Sequence, residues 1–352
     1  MDIPVKKLLF SCDYLEGAHP KIMRRLMETN LWKSPGYGAD SFSQEARARI
    51  RSACGAPQAE VYFLTGGTQT NAVVIGAMLA SYQGVIAAES GHISVHEAGA
   101  VEAGGHKVLT VPHTLGKISA GQVRDVLASY WQDETHEHMV MPGMVYLSQP
   151  TEYGTLYSLK ELQDIGDVCQ TYHIPLYVDG ARLAYALACP ENDVTLKDLA
   201  RLSDAFYIGG TKCGALFGEA LVLPKPRTIP CFFSVMKQSG AVLAKGRMLG
   251  IQFLELFTDG LYEHIGENAI RTSGKIKAAL REYGYQLYME TPTNQIFCVL
   301  EDGQMERLSE LVEFSFWEKP DETHTVVRFA TSWATSEDDV AQLIGILRGQ
   351  QP

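Results

Sequence analysis

The alternation of short apolar runs with longer helical patterns, between about residues 45 and 225, most constrains the fold of this chain. Most of these runs are continuous, which is typical of strands that are buried on both faces of a sheet. The strand candidates are VYFL (61–64), GVIAAE (84–89), HKVLTVP (106–112), GMVYLSQP (143–150), IPLYVDG (174–180), DAFYIGG (204–210) and EALVLP (219–224). Because strands that alternate with helices need crossover connections, the pattern predicts an α/β fold with a mainly parallel central sheet.

Helices between these strands are indicated by apolar residues at helical spacing. The clearest candidate is SLKELQDIGDVCQTYH (158–173), and TNAVVIGAMLASY (70–82) is a second one. In the first candidate the apolar positions recur three or four residues apart, so one face of the helix is expected to pack against the sheet.

The pattern changes after Pro230, where a long helical stretch over 234–283 predicts two or three helices. The elements predicted beyond it are a strand at 295–301, a helix at 304–312, a strand at 325–333 and a final helix at 336–348. Since the chain has 352 residues and an ordinary domain has about 150, we predict two domains. An N-terminal arm and a large domain are expected over 1–233, and linking helices with a small α+β domain over 234–352.

The charge and the cysteines argue against several classes of protein. A formal net charge of −11 without a basic stripe argues against binding to nucleic acid. No window approaches about 18 uninterrupted apolar residues, and the N-terminus lacks the apolar core of a signal peptide. The 7 cysteines are scattered and form no CxxC pair, which favours reduced thiols over disulfides or a zinc site. We therefore expect a cytoplasmic protein that binds neither membranes nor nucleic acid.

Chemically useful residues lie at the carboxyl ends of the strand candidates, where open parallel sheets bind ligands. His92, Asp179 and Lys212 each follow or end such a run, and the loop TGGTQTN (65–71) leads directly into a helix. Together they match the needs of pyridoxal 5′-phosphate. Lysine holds the aldehyde as a Schiff base, and a carboxylate keeps the pyridine nitrogen protonated. The N–H groups at a helix start bind phosphate, and an aromatic residue stacks on the ring.

Further motifs make the sequence similar to a known family. They are YGAD (37–40), TGGTQTN (65–71), SGHISVHEAGA (90–100), VDGARL (178–183), GGTKCG (209–214) and RFATSW (328–333). This series resembles the threonine aldolase and β-eliminating lyase family of pyridoxal-phosphate enzymes over nearly the whole chain. The resemblance implies the aminotransferase-like fold (fold type I), with a large domain around a mainly parallel sheet and a small α+β C-terminal domain. It also implies a homodimer or homotetramer with shared active sites.

The resemblance further implies a role for each residue that matches the family's motifs. Lys212 would form the Schiff base with pyridoxal 5′-phosphate, Asp179 would pair with the pyridine nitrogen, and His92 would stack on the ring and act in proton transfer. The phosphate would be bound by Gly67, Thr68 and Thr211.

The substrate carboxylate is expected to bind to arginine, whose fixed fork suits bidentate recognition. Arg182 and Arg328 would take this role, and Arg182 would also contact the cofactor. Cys12 stands where the family has a serine, which removes a hydroxyl from the expected neighbourhood of the substrate. Tyr37 is a further candidate substrate-binding residue, and it or the segment 237–245 would reach the site of a neighbouring subunit.

Glu152 marks a second departure from the family, which usually has Thr-His where this chain has Thr151-Glu152. It is expected at the same edge of the sheet as Asp179 and Lys212. Its carboxylate could accept the proton of a substrate β-hydroxyl, directly or through one water. Alternatively, it could pair with an arginine and take no part in the chemistry.

Three functions remain open from the residues alone. The first is an aldolase that cleaves β-hydroxy-α-amino acids, such as L-threonine or L-allo-threonine, to glycine and an aldehyde. The second is a β-eliminating lyase that gives a keto acid and ammonia. The third, a catalytically silent pyridoxal-phosphate-binding protein, is disfavoured because the lysine, the aspartate, the histidine and both arginines are present.

Structural roles also remain open for some of these residues. Asp179 could cap a helix, and Arg182 and Arg328 could form structural ion pairs. His92 and His96 stand four residues apart, a spacing that suits a metal on a helix, but no third ligand lies nearby. We expect no metal site.

Overall fold

The computed structural model describes residues 7–350, within which it contains three sheets. Its strands are β1 (Leu8–Leu9), β2 (Glu60–Leu64), β3 (Gln83–Ala88), β4 (Val108–Val111), β5 (Met141–Ser148), β6 (Leu176–Asp179), β7 (Ala205–Gly209), β8 (Glu219–Leu223), β9 (Gln286–Leu287), β10 (Gln295–Glu301), β11 (Val312–Glu313), β12 (Ser315–Glu318) and β13 (His324–Ala330). Its α-helices are α1 (Pro20–Thr29), α2 (Ser41–Ala53), α3 (Gly67–Met78), α4 (His92–Val95), α5 (Ala100–Ala103), α6 (Ala120–Gln132), α7 (Leu159–Tyr172), α8 (Leu183–Leu187), α9 (Leu196–Leu202), α10 (Phe232–Gln238), α11 (Arg247–Leu256), α12 (Leu261–His264), α13 (Glu267–Glu282), α14 (Asp302–Ser309) and α15 (Glu337–Gly349).

The large sheet has the strand order β2-β8-β7-β6-β5-β3-β4. From β4 to β7 all neighbours are parallel, whereas β8 runs antiparallel to both β7 and β2. Alternate side chains of β5 enter two separate apolar clusters, with Val145 and Leu147 in one and Met144 and Tyr146 in the other. The sheet therefore has an apolar core on each face, and the predicted mainly parallel central sheet is confirmed.

The helices beside this sheet begin at recognisable sequence signals, with one informative exception. Helix α7 starts at a capping box between Ser158 and Glu161 and buries the apolar face that its spacing predicted. Helix α3 starts three residues earlier than predicted, after Gly66, and no side chain caps it. Its first N–H groups therefore remain available at the edge of the sheet.

The C-terminal part of the chain is built around a four-stranded antiparallel sheet with the order β12-β13-β10-β9. Helices α13 and α15 pack against each other and share an apolar cluster with β10 and β13. This is the predicted small α+β region. The segment 234–283 contains most of α10 and all of α11, α12 and α13, more than the two or three helices predicted.

The N-terminal arm joins the C-terminal part of the chain. Strand β1 pairs in parallel with β11, so that Leu8 and Leu9 lie opposite Val312 and Glu313. Helix α11 packs against α2 in the core beside the large sheet. The domain boundary between residues 233 and 234 stays a prediction. No helix within residues 7–350 is long and apolar enough to cross a membrane.

Candidate active site

A cavity of about 280 Å³ opens at the carboxyl ends of the parallel strands. The predicted site residues that line it are Gly67, Thr68, His92, Glu152, Asp179, Arg182, Thr211 and Lys212. A second cavity of about 710 Å³ is bordered by Arg328 and shares His92, Glu152, Arg182 and Lys212 with the first. The structure therefore brings nine of the predicted residues together around two adjoining cavities.

Lys212 lies in the turn that follows β7, and its side chain borders both cavities. The hydroxyl of Tyr185 donates a hydrogen bond to the carbonyl oxygen of Lys212, which fixes the turn. Burial lowers the pKa of the Lys212 ammonium, and the positive charge of Arg182 lowers it further, against the opposing effect of nearby carboxylates. A lysine with a lowered pKa has a larger neutral fraction, the form that attacks a carbonyl carbon.

Asp179, the last residue of β6, is buried and receives several hydrogen bonds. Tyr146 Oη donates to its Oδ2 at 2.6 Å, Asn71 Nδ2 donates to the same oxygen at 3.1 Å, and the N–H of Ala181 donates to Oδ1 at 3.0 Å. Burial alone would raise the pKa of Asp179, but His92 and these donors outweigh it, so its pKa lies below the usual range. The cavity therefore contains a carboxylate that stays ionised at neutral pH.

The N-terminus of α3 forms one wall of the same cavity. The backbone at Gly67 lies close to the side chain of Tyr207. A Cβ added to Gly67 would be only 2.9 Å from Tyr207 Oη. Thr68 stands beside it and is exposed. Free N–H groups and the positive end of the helix dipole suit this wall for an anionic group.

His92 belongs to a hydrogen-bonded chain that the sequence interpretation missed. Its Nδ1 lies 2.8 Å from Glu97 Oε1, and Asn71 Nδ2 donates to the same oxygen at 2.7 Å. Asn71 also donates to Asp179, so the chain links His92 to the carboxylate at the end of β6. A buried carboxylate at Nδ1 keeps the proton on that nitrogen and orients the ring. The available signal was Glu97 itself, which lies in the SGHISVHEAGA motif.

Glu152 is buried and borders both cavities. Ser148 Oγ donates to its Oε1 at 2.7 Å, and the backbone N–H of His92 donates to the same atom at 3.0 Å. Within residues 7–350 no arginine is within ion-pair distance of Glu152, which argues against the pairing that the sequence left open. Burial raises the pKa of Glu152 above its usual value.

Arg182 forms a structural ion pair, the alternative that the sequence leaves open. Its Nε and Nη2 donate to the two carboxylate oxygens of Asp13, at 2.6 and 3.0 Å. Burial alone would lower the pKa of Arg182. The negative charge of Asp13 and its hydrogen bonds outweigh this effect, so the pKa of Arg182 lies above its already high usual value. The remaining nitrogen, Nη1, has no partner among residues 7–350, and the side chain still borders both cavities.

Arg328 differs from Arg182 because no carboxylate neutralises it within residues 7–350. Its Nη atoms donate to Gln295 Oε1, to the carbonyl oxygen of Ser11 and to Ser315 Oγ, whereas its buried Nε has no acceptor. Burial lowers the pKa of Arg328, and the charge of Arg182 lowers it further. A half-buried guanidinium without an ion-pair partner at the edge of a cavity favours a ligand that brings a carboxylate.

Cys12 and Tyr37 lie apart from these contacts. Cys12 is half-buried beside Tyr14, and neither cavity has it in its lining. Tyr37 borders a separate cavity of about 280 Å³, where Lys237 Nζ lies 4.5 Å from the centroid of its ring. In the part of the chain that the structure describes, no cluster of three or more His, Cys, Asp or Glu side chains could hold a metal ion.

Comparison with known proteins agrees with this architecture. The solved structure of Leishmania major threonine aldolase is 39% identical, with a TM-score of 0.94 over 98% of this chain and 99% of that one. A low specificity L-threonine aldolase from Pseudomonas sp. (strain NCIMB 10558) is 28% identical over 350 residues, 96% of each chain. Thermus thermophilus aspartate aminotransferase, at 16% identity, has a TM-score of 0.73 over 98% of this chain and 92% of its own, which confirms the aminotransferase-like fold.

The sequence profile of a family described as beta-eliminating lyase matches residues 15–302. This range includes every residue of the first cavity except Tyr14, and most of the chain. The resemblance inferred from the motifs is thereby confirmed, and the chain belongs to the β-eliminating lyase family.

Proposed function

We propose that this protein is a pyridoxal-phosphate-dependent aldolase that cleaves β-hydroxy-α-amino acids, such as L-threonine or L-allo-threonine, to glycine and an aldehyde. The observation that carries the proposal is the convergence of Lys212, Asp179 and Glu152 on one cavity that adjoins an uncompensated Arg328. The threonine aldolases that match nearly the whole chain support the same reaction.

The residues present fit pyridoxal 5′-phosphate. Lys212 would hold the aldehyde carbon, Asp179 would face the pyridine nitrogen, and the uncapped start of α3 would take the phosphate with Gly67 and Thr68. When bound, the cofactor supplies a sink for the electron pair that is released as the Cα–Cβ bond breaks. His92, held through Nδ1 by Glu97, would present the face of its ring to the cofactor.

The substrate would be oriented by its carboxylate. Arg328 borders the second cavity and has no carboxylate partner within residues 7–350, so a substrate carboxylate would neutralise its charge. Arg182 would contribute through Nη1, because its Nε and Nη2 atoms already donate hydrogen bonds to Asp13. Two arginines placed so closely repel each other, and a bound anion relieves this repulsion.

The proton of the β-hydroxyl would pass to a carboxylate oxygen of Glu152. Burial raises the pKa of Glu152 above that of an exposed glutamate, which makes it a stronger base at neutral pH. Loss of this proton turns the hydroxyl into the carbonyl of the departing aldehyde as the Cα–Cβ bond breaks. The other product is glycine, which forms when Cα takes up a proton in place of its bond to Cβ, and its α-carboxylate stays at Arg328.

β-Elimination to a keto acid and ammonia is the second candidate, and the family match favours keeping it. The two reactions are distinguished by incubating the protein with L-threonine, L-allo-threonine and phenylserine and identifying the products. Glycine with an aldehyde supports the aldolase, whereas a keto acid with ammonia supports elimination. Absence of both products with all three substrates would contradict the proposed activity.

The Arg328→Gln variant is expected to raise KM for L-threonine by about 10- to 100-fold, with a smaller change in kcat, because charged hydrogen bonds to the substrate carboxylate are lost. The measurement is steady-state kinetics with the cofactor in excess. Arg124→Gln removes an exposed arginine on α6 and should leave KM unchanged. An unchanged KM in Arg328→Gln would contradict the role of Arg328.

The assembly that we propose is a homodimer or homotetramer with shared active sites. Met27, Leu31 and Trp32 leave apolar surface exposed at the end of α1, which suits burial against another subunit. Tyr37 and Lys237, which lie away from Lys212 in their own chain, would then reach the neighbour's site. Analytical ultracentrifugation should show a closed oligomer, and a monomer with full activity at assay dilution would contradict this assembly.

We also propose that the protein works in the cytoplasm. All seven cysteines are free, and most are buried in apolar surroundings. A reducing compartment keeps such thiols unpaired. Cell fractionation would test this location.

A further inference from the structure

Glu219 is a buried carboxylate that the proposed reaction does not use. It is the first residue of β8 and borders the same cavity as the start of α3 and Lys212. The sequence predicts this position only as the beginning of the strand candidate EALVLP (219–224).

Both oxygens of Glu219 accept hydrogen bonds from the turn that carries Lys212. Thr211 Oγ1 donates to Oε1 at 2.8 Å, and the N–H of Gly210 donates to Oε2 at 2.9 Å. Thr211 Oγ1 also accepts a hydrogen bond from the N–H of Gly218 at 3.0 Å. The only hydrogen of the Thr211 hydroxyl is therefore donated to Glu219, although the family resemblance implies that Thr211 binds the cofactor phosphate.

Few positive groups lie near Glu219 to compensate the negative charge of its carboxylate. Within residues 7–350, no lysine or arginine is within ion-pair distance of it, and the ionised Asp179 borders the same cavity. The titratable groups that face it are Lys212, Asp179, Tyr177, Tyr207, Tyr262 and Cys213. Lys212 is the only cation among them. Burial raises the pKa of Glu219 to about 7, against the hydrogen bonds from Gly210 and Thr211 and the charge of Lys212.

An anionic group at the start of α3 would share this cavity with Glu219. Two negative charges in one partly desolvated cavity repel each other, and the carboxyl group can remove the repulsion by taking up a proton. A neutral carboxyl group also holds the Thr211 hydrogen less strongly than a carboxylate does, which frees that hydroxyl to turn towards the anion.

We propose that Glu219 is the proton-binding residue of the phosphate site, so that binding of a pyridoxal-type phosphate ester takes up one proton at its carboxyl group. This inference rests on the proposed cofactor. It predicts that affinity for the phosphate ester falls as pH rises above about 7, because above that value the proton must be taken from solution.

The test uses the full-length protein freed of cofactor and pyridoxine 5′-phosphate, which lacks the aldehyde and forms no bond with Lys212. Dissociation constants are measured by calorimetry between pH 6 and 9. For the wild type we expect affinity to fall by about tenfold per pH unit above pH 7.5, since one proton is linked to binding. In Glu219→Gln this fall should disappear, and binding at pH 8.5 should be at least about tenfold tighter than in the wild type.

Two controls isolate the effect. Glu60→Gln removes a carboxylate from the other end of the same strand pair, since Glu60 lies opposite Leu223 in the β2–β8 register, and it should keep the wild-type pH dependence. Pyridoxine, which has no phosphate, should bind wild type and Glu219→Gln with the same pH dependence. Calorimetry of the wild type in two buffers of different ionisation enthalpy measures the number of protons taken up per bound ligand, and this measurement needs no variant.

The results separate this inference from the proposed function. Equal pH dependence in wild type and Glu219→Gln, or a wild type that takes up no proton, would overturn the role of Glu219 while leaving the cofactor assignment intact. If pyridoxine 5′-phosphate and pyridoxal 5′-phosphate fail to bind at every pH, both the cofactor and this inference are wrong.

Discussion

The Lys212→Ala variant is expected to lose about 10³- to 10⁶-fold in turnover of L-threonine, the range typical of removing the residue that forms a covalent bond during catalysis. Burial and the charge of Arg182 lower the pKa of this lysine, and no other lysine within residues 7–350 borders either cavity. The wild-type protein is expected to be yellow with bound cofactor, and the variant should lose this colour after dialysis. The measurements are product formation and the visible absorption spectrum.

Borohydride reduction of the wild type identifies the attachment site directly. After proteolysis, mass spectrometry should find the reduced cofactor on the peptide that contains Lys212. Lys225→Ala, at an exposed lysine that pairs with Asp204, should keep both colour and activity. Attachment of the cofactor to a lysine other than Lys212 would contradict the site.

The Glu152→Gln variant is expected to lower kcat by about 10²- to 10⁴-fold, the range typical of losing a general base. Glutamine keeps a carbonyl oxygen that can accept the hydrogen bonds from Ser148 and from the His92 N–H, so the local structure should persist. The wild-type kcat should rise with pH through the pKa of Glu152, which burial raises, because only the ionised carboxylate accepts a proton. The variant should lack this rise and still bind the cofactor covalently.

A matched control for this result is Glu102→Gln, an exposed glutamate on α5, which should leave kcat and its pH profile unchanged. If Glu152→Gln retains turnover, the base is another group. Glu97→Gln would then be informative, because it weakens the contact that keeps the proton on His92 Nδ1.

The strands were predictable because burial on both faces leaves a continuous apolar signature in the sequence. β10 coincides with the predicted strand at 295–301, and the seven strands of the large sheet all overlap predicted apolar runs, although β2, β3 and β5 begin before theirs. The start of α3 was placed too late, because the helix begins after a glycine that offers no side-chain cap. Boundaries set by backbone geometry alone leave no pattern to recognise.

Site residues that lie at or just after the carboxyl ends of strands, such as Asp179 and Lys212, were predictable from the sequence. The site was not predictable where a residue depends on a distant partner. Asp13 and Arg182 are 169 positions apart, and nothing in the spacing of either indicates their pairing. Glu219 escaped attention because it begins a strand, although its carboxylate turns back to the Thr211 hydroxyl. The family resemblance pointed to both arginines, but only the structure shows that Arg182 is already paired with a carboxylate and that, within residues 7–350, Arg328 is not.

The pairing of the N-terminal arm with β11 has a consequence for the order in which the protein forms during synthesis. The residues that would hold the cofactor lie between 67 and 219, so they are synthesised well before the C-terminal part of the chain. Arg328 and the partners of the arm, β11 and Asn294, emerge much later. Asp13 also pairs with Arg182, which is made earlier, whereas the contact of Ser11 with Arg328 can form only after the last strands have been made. During synthesis, the residues proposed to hold the cofactor therefore appear before Arg328, the residue proposed to bind the substrate carboxylate.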